Sequence, residues 1–231
     1  HEKLLQIYVT KLNAYVCIFV DEGLGGTVNN SQLQKSICCV TDEFSAVNCL
    51  ETIKQGFEVK LLICYETRED VIHLVKIIDK ILPRMLKSEI ELEFHKISKF
   101  GKNSEDVLSK NTLITNILIK SAKEKKISHI SLATSPLVYP SKYVETLQKR
   151  IFSAGMIPHI PLSGIDSEIM KNAKEIGMEK YISKIEKLLK NNFTKSKTKP
   201  IKNEKITKKT IKIKLGPNNV HTILDSLEIE H

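Results

Sequence analysis

Ser36-Ile37-Cys38-Cys39-Val40-Thr41-Asp42-Glu43-Phe44-Ser45-Ala46-Val47 is the stretch that decides the fold. Ser36 to Val40 reads as a short buried strand. Thr41 to Ser45 reads as a loop, and a helical pattern runs from Ala46 to Gln55, closed by Gly56. A second apolar run, Val59 to Cys64, comes next. Strand, tight loop, helix and strand frame a βαβ unit of the kind that cradles phosphates. Such a loop needs glycine, because backbone N–H groups must approach the anion closely. Here Asp42 and Glu43 stand in the loop, and a place suited to an anion carries two carboxylates.

The same alternation continues outward. Strands are expected at Glu91–Ile97, Ile127–Ala133 and Ile157–Ile160 as well as in the two runs above. Between them, Arg68–Leu82 carries Val71, Ile72, Val75, Ile78 and Leu82 at helical spacing, with Pro83 to end or kink it. Ser104–Lys126 places Val107, Leu108, Ile114, Ile117, Leu118 and Ala122 on one side. Its closing lysines suit the helix dipole. Tyr143–Ala154 and Asp166–Ile176 are followed by Gly155 and Gly177, well placed as C′ residues. Five strands separated by helices predict an α/β fold, a doubly wound parallel five-stranded sheet. Ligands of such sheets bind beyond the C-terminal strand ends, where Thr41–Ser45 and Thr134–Tyr139 should lie.

Before this core, Leu4–Thr10 and Tyr15–Val20 read as an N-terminal β-hairpin. After it, Glu179–Asn192 reads as a helix and Lys195–Lys209 as a flexible Lys/Thr/Ser-rich linker. Thr210 to Leu215 then alternates strictly, Gly216-Pro217-Asn218-Asn219 signals a turn, and Val220, Ile223, Leu224 and Leu227 form an apolar set. The expected divisions are 1–26 (hairpin), 27–192 (α/β domain), 193–209 (linker) and 210–231 (docking element).

Charge sharpens this division. The chain of 231 residues carries a formal +9. Residues 187–214 hold +10, residues 215–231 hold −3, and the rest is nearly neutral at +2. A basic C-terminal extension on a neutral body offers electrostatic, sequence-independent attraction for RNA, through Lys195, Lys197, Lys199, Lys202, Lys205, Lys208 and Lys209. Phe193 is the one aromatic near it, so base stacking is not its mechanism. Five cysteines on apolar segments, without a C-x-x-C pair, read as buried thiols of a reducing cytoplasm. No metal-ligand spacing, catalytic triad or paired carboxylates can be argued, and no apolar run is long enough to span a membrane.

The stretch from Tyr15 to Tyr65 resembles the tRNA 4-thiouridine synthetase family, the ThiI-type tRNA sulfurtransferases. Gly23-Leu24-Gly25-Gly26-Thr27-Val28 resembles the passage joining that family's THUMP domain to its catalytic domain. Thr41-Asp42-Glu43-Phe44-Ser45 aligns with the family's PP-loop pattern Ser-Gly-Gly-x-Asp-Ser, with both glycines replaced and the aspartate deleted. Lys54 to Val59 matches the following helix end and strand, and Ile160 to Ile169 with Ala173 to Gly177 resembles the last strand-to-helix junction. The likeness covers roughly Leu5 to Tyr181. It implies a PP-loop domain of HUP-like fold and a THUMP remnant in the hairpin. For an intact member it implies ATP with magnesium and tRNA as substrate.

Departures from the pattern point to a degenerate copy. Ala133 to Pro140 lacks the family's Gly-x-Ser-Leu-Gly-Gln passage, and no cysteine follows Cys64. Ser163-Gly164-Ile165-Asp166-Ser167 imitates a PP-loop, but Ser163 or Asp166 can cap the next helix, with Gly164 at the turn. No catalytic residue, cofactor or metal is therefore assigned. Three readings remain: a non-catalytic scaffold for RNA or protein, an active ATP-dependent tRNA sulfurtransferase, and an obligate subunit completing a partner or second copy.

Overall fold

The apolar runs become the centre of one sheet, and a strand from the basic region joins its edge. The computed structural model describes residues 6–9, 14–17, 31–85, 87–101, 103–178 and 206–229. The expected helix at Glu179–Asn192 lies outside them. Strands β1 (Gln6–Val9) and β2 (Ala14–Cys17) pair antiparallel as the expected hairpin, Gln6 opposite Cys17 and Val9 opposite Ala14.

The main sheet starts at β3 (Lys35–Val40), continues through helix α1 (Glu43–Lys54) to β4 (Glu58–Tyr65), and through α2 (Arg68–Asp79) to β5 (Glu89–Lys96). The chain stops α2 early, and a single 3₁₀ turn, Leu82–Met85, carries Pro83. Helix α3 (Ser104–Lys125) then crosses to β6 (His129–Ser131), and α4 (Ser141–Ser153) to β7 (Ile157–His159). A 3₁₀ turn at Pro161–Ser163 leads to α5 (Ser167–Glu175). The last described elements are β8 (Thr207–Lys214) and α6 (Asn219–Ser226).

The sheet has six strands in the order β7-β6-β3-β4-β5-β8, and not the five expected. The first five are mutually parallel, while β8 runs antiparallel along β5. The linker expected over 193–209 accordingly gives way to strand at Thr207. Register explains why. On one side of the pair, Ile213 faces Ile90 and Ile211 faces Leu92. On the other, Lys214 faces Glu89 and Lys212 faces Glu91. Matched apolar pairs on one face and opposite charges on the other favour this register, and a slip by one residue would invert both.

Two buried clusters sandwich the sheet. Cys38, Val40, Leu61, Ile63, Leu92 and Phe94 belong to the side covered by α1 and α2, which Ile223 and Leu224 of α6 join. Ile37, Cys39, Leu62 and Cys64 belong to the side covered by α3 and α4. Cys38, Cys39, Cys49 and Cys64 are free thiols inside these layers. A polar seam fixes α1 to the sheet centre: Asn48 Nδ2 donates to Ser131 Oγ at 2.9 Å, and the Thr52 and Ser131 hydroxyls lie 2.7 Å apart. Among the described residues, no helix is long and apolar enough to cross a membrane.

Candidate functional site at the strand switch point

Strand order reverses between β3 and β6, because β4 and β5 lie to one side of β3 while β6 and β7 lie to the other. The crevice at their C-terminal ends is where an open α/β sheet receives a ligand. Thr41 and Asp42 leave β3 there, and Thr134 to Tyr139 follow β6.

The five-residue loop expected at Thr41–Ser45 is only two residues long. Glu43, Phe44 and Ser45 already belong to the first turn of α1. Local capping chemistry accounts for the early start. Asp42 is the N-cap with extended backbone, and its carboxylate accepts from Ser45 N at 2.8 Å. Ser45 Oγ accepts in return from Asp42 N at 3.0 Å and from Thr41 N at 2.8 Å. This reciprocal box satisfies backbone donors that a helix start leaves open. It also places a fixed negative charge on the amides that would otherwise meet a phosphate.

The other two loop residues are turned elsewhere. Glu43 Oε1 lies 3.1 Å from His73 Nε2 on α2. Phe44 is buried in the core on the α1 side. Of the two carboxylates read from the sequence, Asp42 is the one whose carboxylate caps the helix amides.

The space beyond the loop is small. A cavity of about 30 Å³ is lined by Thr41, Asp42, Ser45, Asn111, Thr134 and Tyr139, among others. That is room for roughly one or two waters, whereas ligand pockets run to several hundred Å³ (roughly 300–1,000). Thr134 Oγ1 is buried there without a protein partner, a place that suits a water. Burial pushes the Tyr139 phenol far above its usual range, and the nearby Asp42 charge adds to that, against a hydrogen bond with Asn111. The site holds its ionisable groups in a closed, internally bonded arrangement.

Replacing Asp42 with Ala is expected to lower stability by about 1 kcal/mol, the ordinary worth of an N-cap. Urea denaturation checks this, and a neutral result would mean that the box contributes nothing.

Asp166 repeats the pattern at α5, accepting from Glu168 N at 3.0 Å and Ile169 N at 2.9 Å. The imitation PP-loop at Ser163–Ser167 is thus a helix cap. Gly164 adopts φ −118 and a Cβ there would meet nothing within 4 Å, so the turn does not depend on glycine.

The lysines proposed for RNA divide. Lys195, Lys197, Lys199, Lys202 and Lys205 lie outside the described residues. Lys208 and Lys209 are strand residues with partners: Lys208 Nζ lies 3.1 Å from Glu93 Oε1 and 3.0 Å from Glu124 Oε2, and Lys209 Nζ lies 3.1 Å from Glu228 Oε1. For Lys208 the reason is Glu93, because a buried carboxylate demands cations, whereas Lys209 lies opposite Phe94 on the other face. The sequence reading missed Glu93 altogether. Its signal was the spacing Glu89-Glu91-Glu93 against Lys208 and the alternating Lys212 and Lys214. Among the described residues no group of three or more metal-ligating side chains is assembled.

No protein-family model matches the chain, and no curated protein does. Among solved structures, a 4-thiouridine synthetase in complex with RNA and bound ATP matches 90% of this chain at 16% identity, with a TM-score of 0.56. This chain spans 63% of that protein's length. PH1313 from Pyrococcus horikoshii matches 74% of this chain and half of its own length, at 18% identity and a TM-score of 0.49. At such identities the similarity to the synthetase is one of fold alone.

Proposed function

We propose that this chain is a non-catalytic relative of 4-thiouridine synthetase, an RNA-associated scaffold of the reducing cytoplasm that retains the fold without the nucleotide chemistry. The observation that carries the reading is the Asp42 carboxylate on the amides that open α1. A phosphate charge about 5 Å from it would meet repulsion of roughly 3 kcal/mol at an effective dielectric near 20. The cavity of about 30 Å³ adds a steric argument. These residues do not fit ATP. The association with RNA is supported by the basic segment over 187–214 and by the fold shared with a protein crystallised on RNA.

Titration calorimetry with Mg-ATP is expected to give no saturable heat up to millimolar nucleotide. A stoichiometric complex would overturn the reading in favour of an active tRNA sulfurtransferase. Changing Asp42 and Glu43 together to Gly is expected not to restore thiolation, because the PP-loop aspartate is still missing.

A further inference from the structure

The face of the sheet opposite α1 and α2 is charged at the N-terminal ends of its parallel strands and the C-terminal end of β8. Lys35 on β3 faces Glu58 on β4, and Glu91 on β5 faces Lys212 on β8. Lys87 bonds to Glu58, and Lys125 to Glu91 at 2.6 Å. Lys60 of β4 lies in the field of Lys87, Glu58, Glu91 and Lys35. Lys212 lies in the field around Glu91. Lys214, opposite Glu89, extends the same row. Cations outnumber carboxylates across this strip, and Lys35, Lys212 and Lys214 are exposed. None of these three enters an ion pair with a described residue, nor does Lys60.

Lys60 shows the consequence of this crowding. Burial and the Lys87 ammonium press its pKa down, against the pull of Glu58 and Glu91. A cation disfavoured by its neighbours is one that an added anion would stabilise. The strip crosses β3, β4, β5 and β8, three strand spacings or roughly 14 Å, long enough for several phosphates of one strand. In sequence, the lysine-rich segment leads straight into β8. That entry is at Thr207, opposite Lys96, at the far end of β8 from Lys212 and Lys214.

We propose that this lysine strip is a folded binding surface for the phosphodiester backbone of single-stranded RNA, on the opposite end of the sheet from the closed crevice. The proposal rests on the RNA-associated reading above and gives it a place. Recognition would be of phosphate charge rather than of bases, since the strip is lined by lysine and glutamate.

The test measures affinity of the full chain for a mixed-sequence single-stranded RNA across a potassium chloride series, by fluorescence anisotropy. The variant K35Q/K60Q/K212Q/K214Q is expected to bind more weakly, with the log–log salt slope smaller by about 3, at about 0.7 per lost contact. A second variant, K195Q/K197Q/K199Q/K202Q/K205Q, separates the preceding segment from the strip. Footprinting does not depend on any variant: in the wild-type complex, Lys60, Lys212 and Lys214 should be protected from amine acylation. Wild-type binding with those lysines unprotected, or a slope lost only in the second variant, would overturn the strip and leave the RNA reading standing. Absence of wild-type binding at low salt would overturn that reading and the strip with it. Tighter binding of poly-glutamate than of RNA would assign the strip to an acidic protein instead and also overturn the proposal.

Discussion

Deleting residues 206–231 is expected to lower the melting temperature by more than 10 °C and to draw the protein into association. The deletion removes β8 and α6 together. Ile211, Ile213, Ile223 and Leu224 are all buried against the body. At about 1.5–3 kcal/mol for each fully buried aliphatic side chain, their loss alone approaches the whole stability of an ordinary domain. A change of 1 kcal/mol moves the midpoint by about 2–4 °C in a domain of this size. The deletion also strips the hydrogen-bonding edge of β5, and with it the lysines that blunt the present edge at β8. An exposed edge with Ile90, Leu92 and Phe94 beside it is a template for pairing between chains. Calorimetry and light scattering read the two effects. An unchanged midpoint would mean that the segment does not stabilise the body. A drop in particle mass would mean that it holds another chain.

The central βαβ unit was legible in the sequence because its signals are local. The apolar runs Ser36–Val40 and Val59–Cys64 lack any competing periodicity, and they emerge as β3, which starts one residue earlier at Lys35, and β4, which is one residue longer at each end. The loop between them was misjudged for a local reason too. The likeness to a phosphate loop drew the helix start to Ala46. The spacing of Asp42 and Ser45, an acceptor and a hydroxyl three residues apart before an apolar run, is itself a helix start, and it sets the boundary at Glu43.

The sixth strand was hidden for a different reason. Thr207 to Lys209 is polar throughout and reads as linker in isolation. Only the pairing with Phe94, His95 and Lys96, more than a hundred positions earlier, turns Thr207 to Lys209 into strand residues. Single-strand periodicity carries no information about such a partner. The same holds for Glu93, whose importance comes from burial and from four donors on three different elements.

Replacing Glu93 with Ala is expected to cost about 3–5 kcal/mol, the usual penalty for removing one member of a buried charge cluster. Glu93 is 1% exposed. Its Oε1 lies 2.7 Å from His95 Nε2 and accepts from Ser121 Oγ at 2.8 Å. Its carboxylate lies 3.1 Å from both Lys125 Nζ and Lys208 Nζ. Burial opposes ionisation, but the hydrogen bonds from His95, Ser121, Lys208 and Lys125 more than reverse it and hold the carboxyl far below the usual carboxylate range. Without the carboxylate, two ammonium groups face a half-buried site with their counter-charge gone. The linkage has a definite sign. The folded value lies below the ordinary 4.5, so the unfolded chain binds the proton first as pH falls. The contribution of Glu93 is therefore fully present above about pH 5.5 and declines steadily from about pH 4.5 downward. Urea midpoints measured between neutral pH and pH 3 should fall less steeply in Glu93→Gln than in the wild type, from a lower starting stability. Parallel curves would mean that Glu93 titrates alike in both states, and that β8 is held by its isoleucines alone.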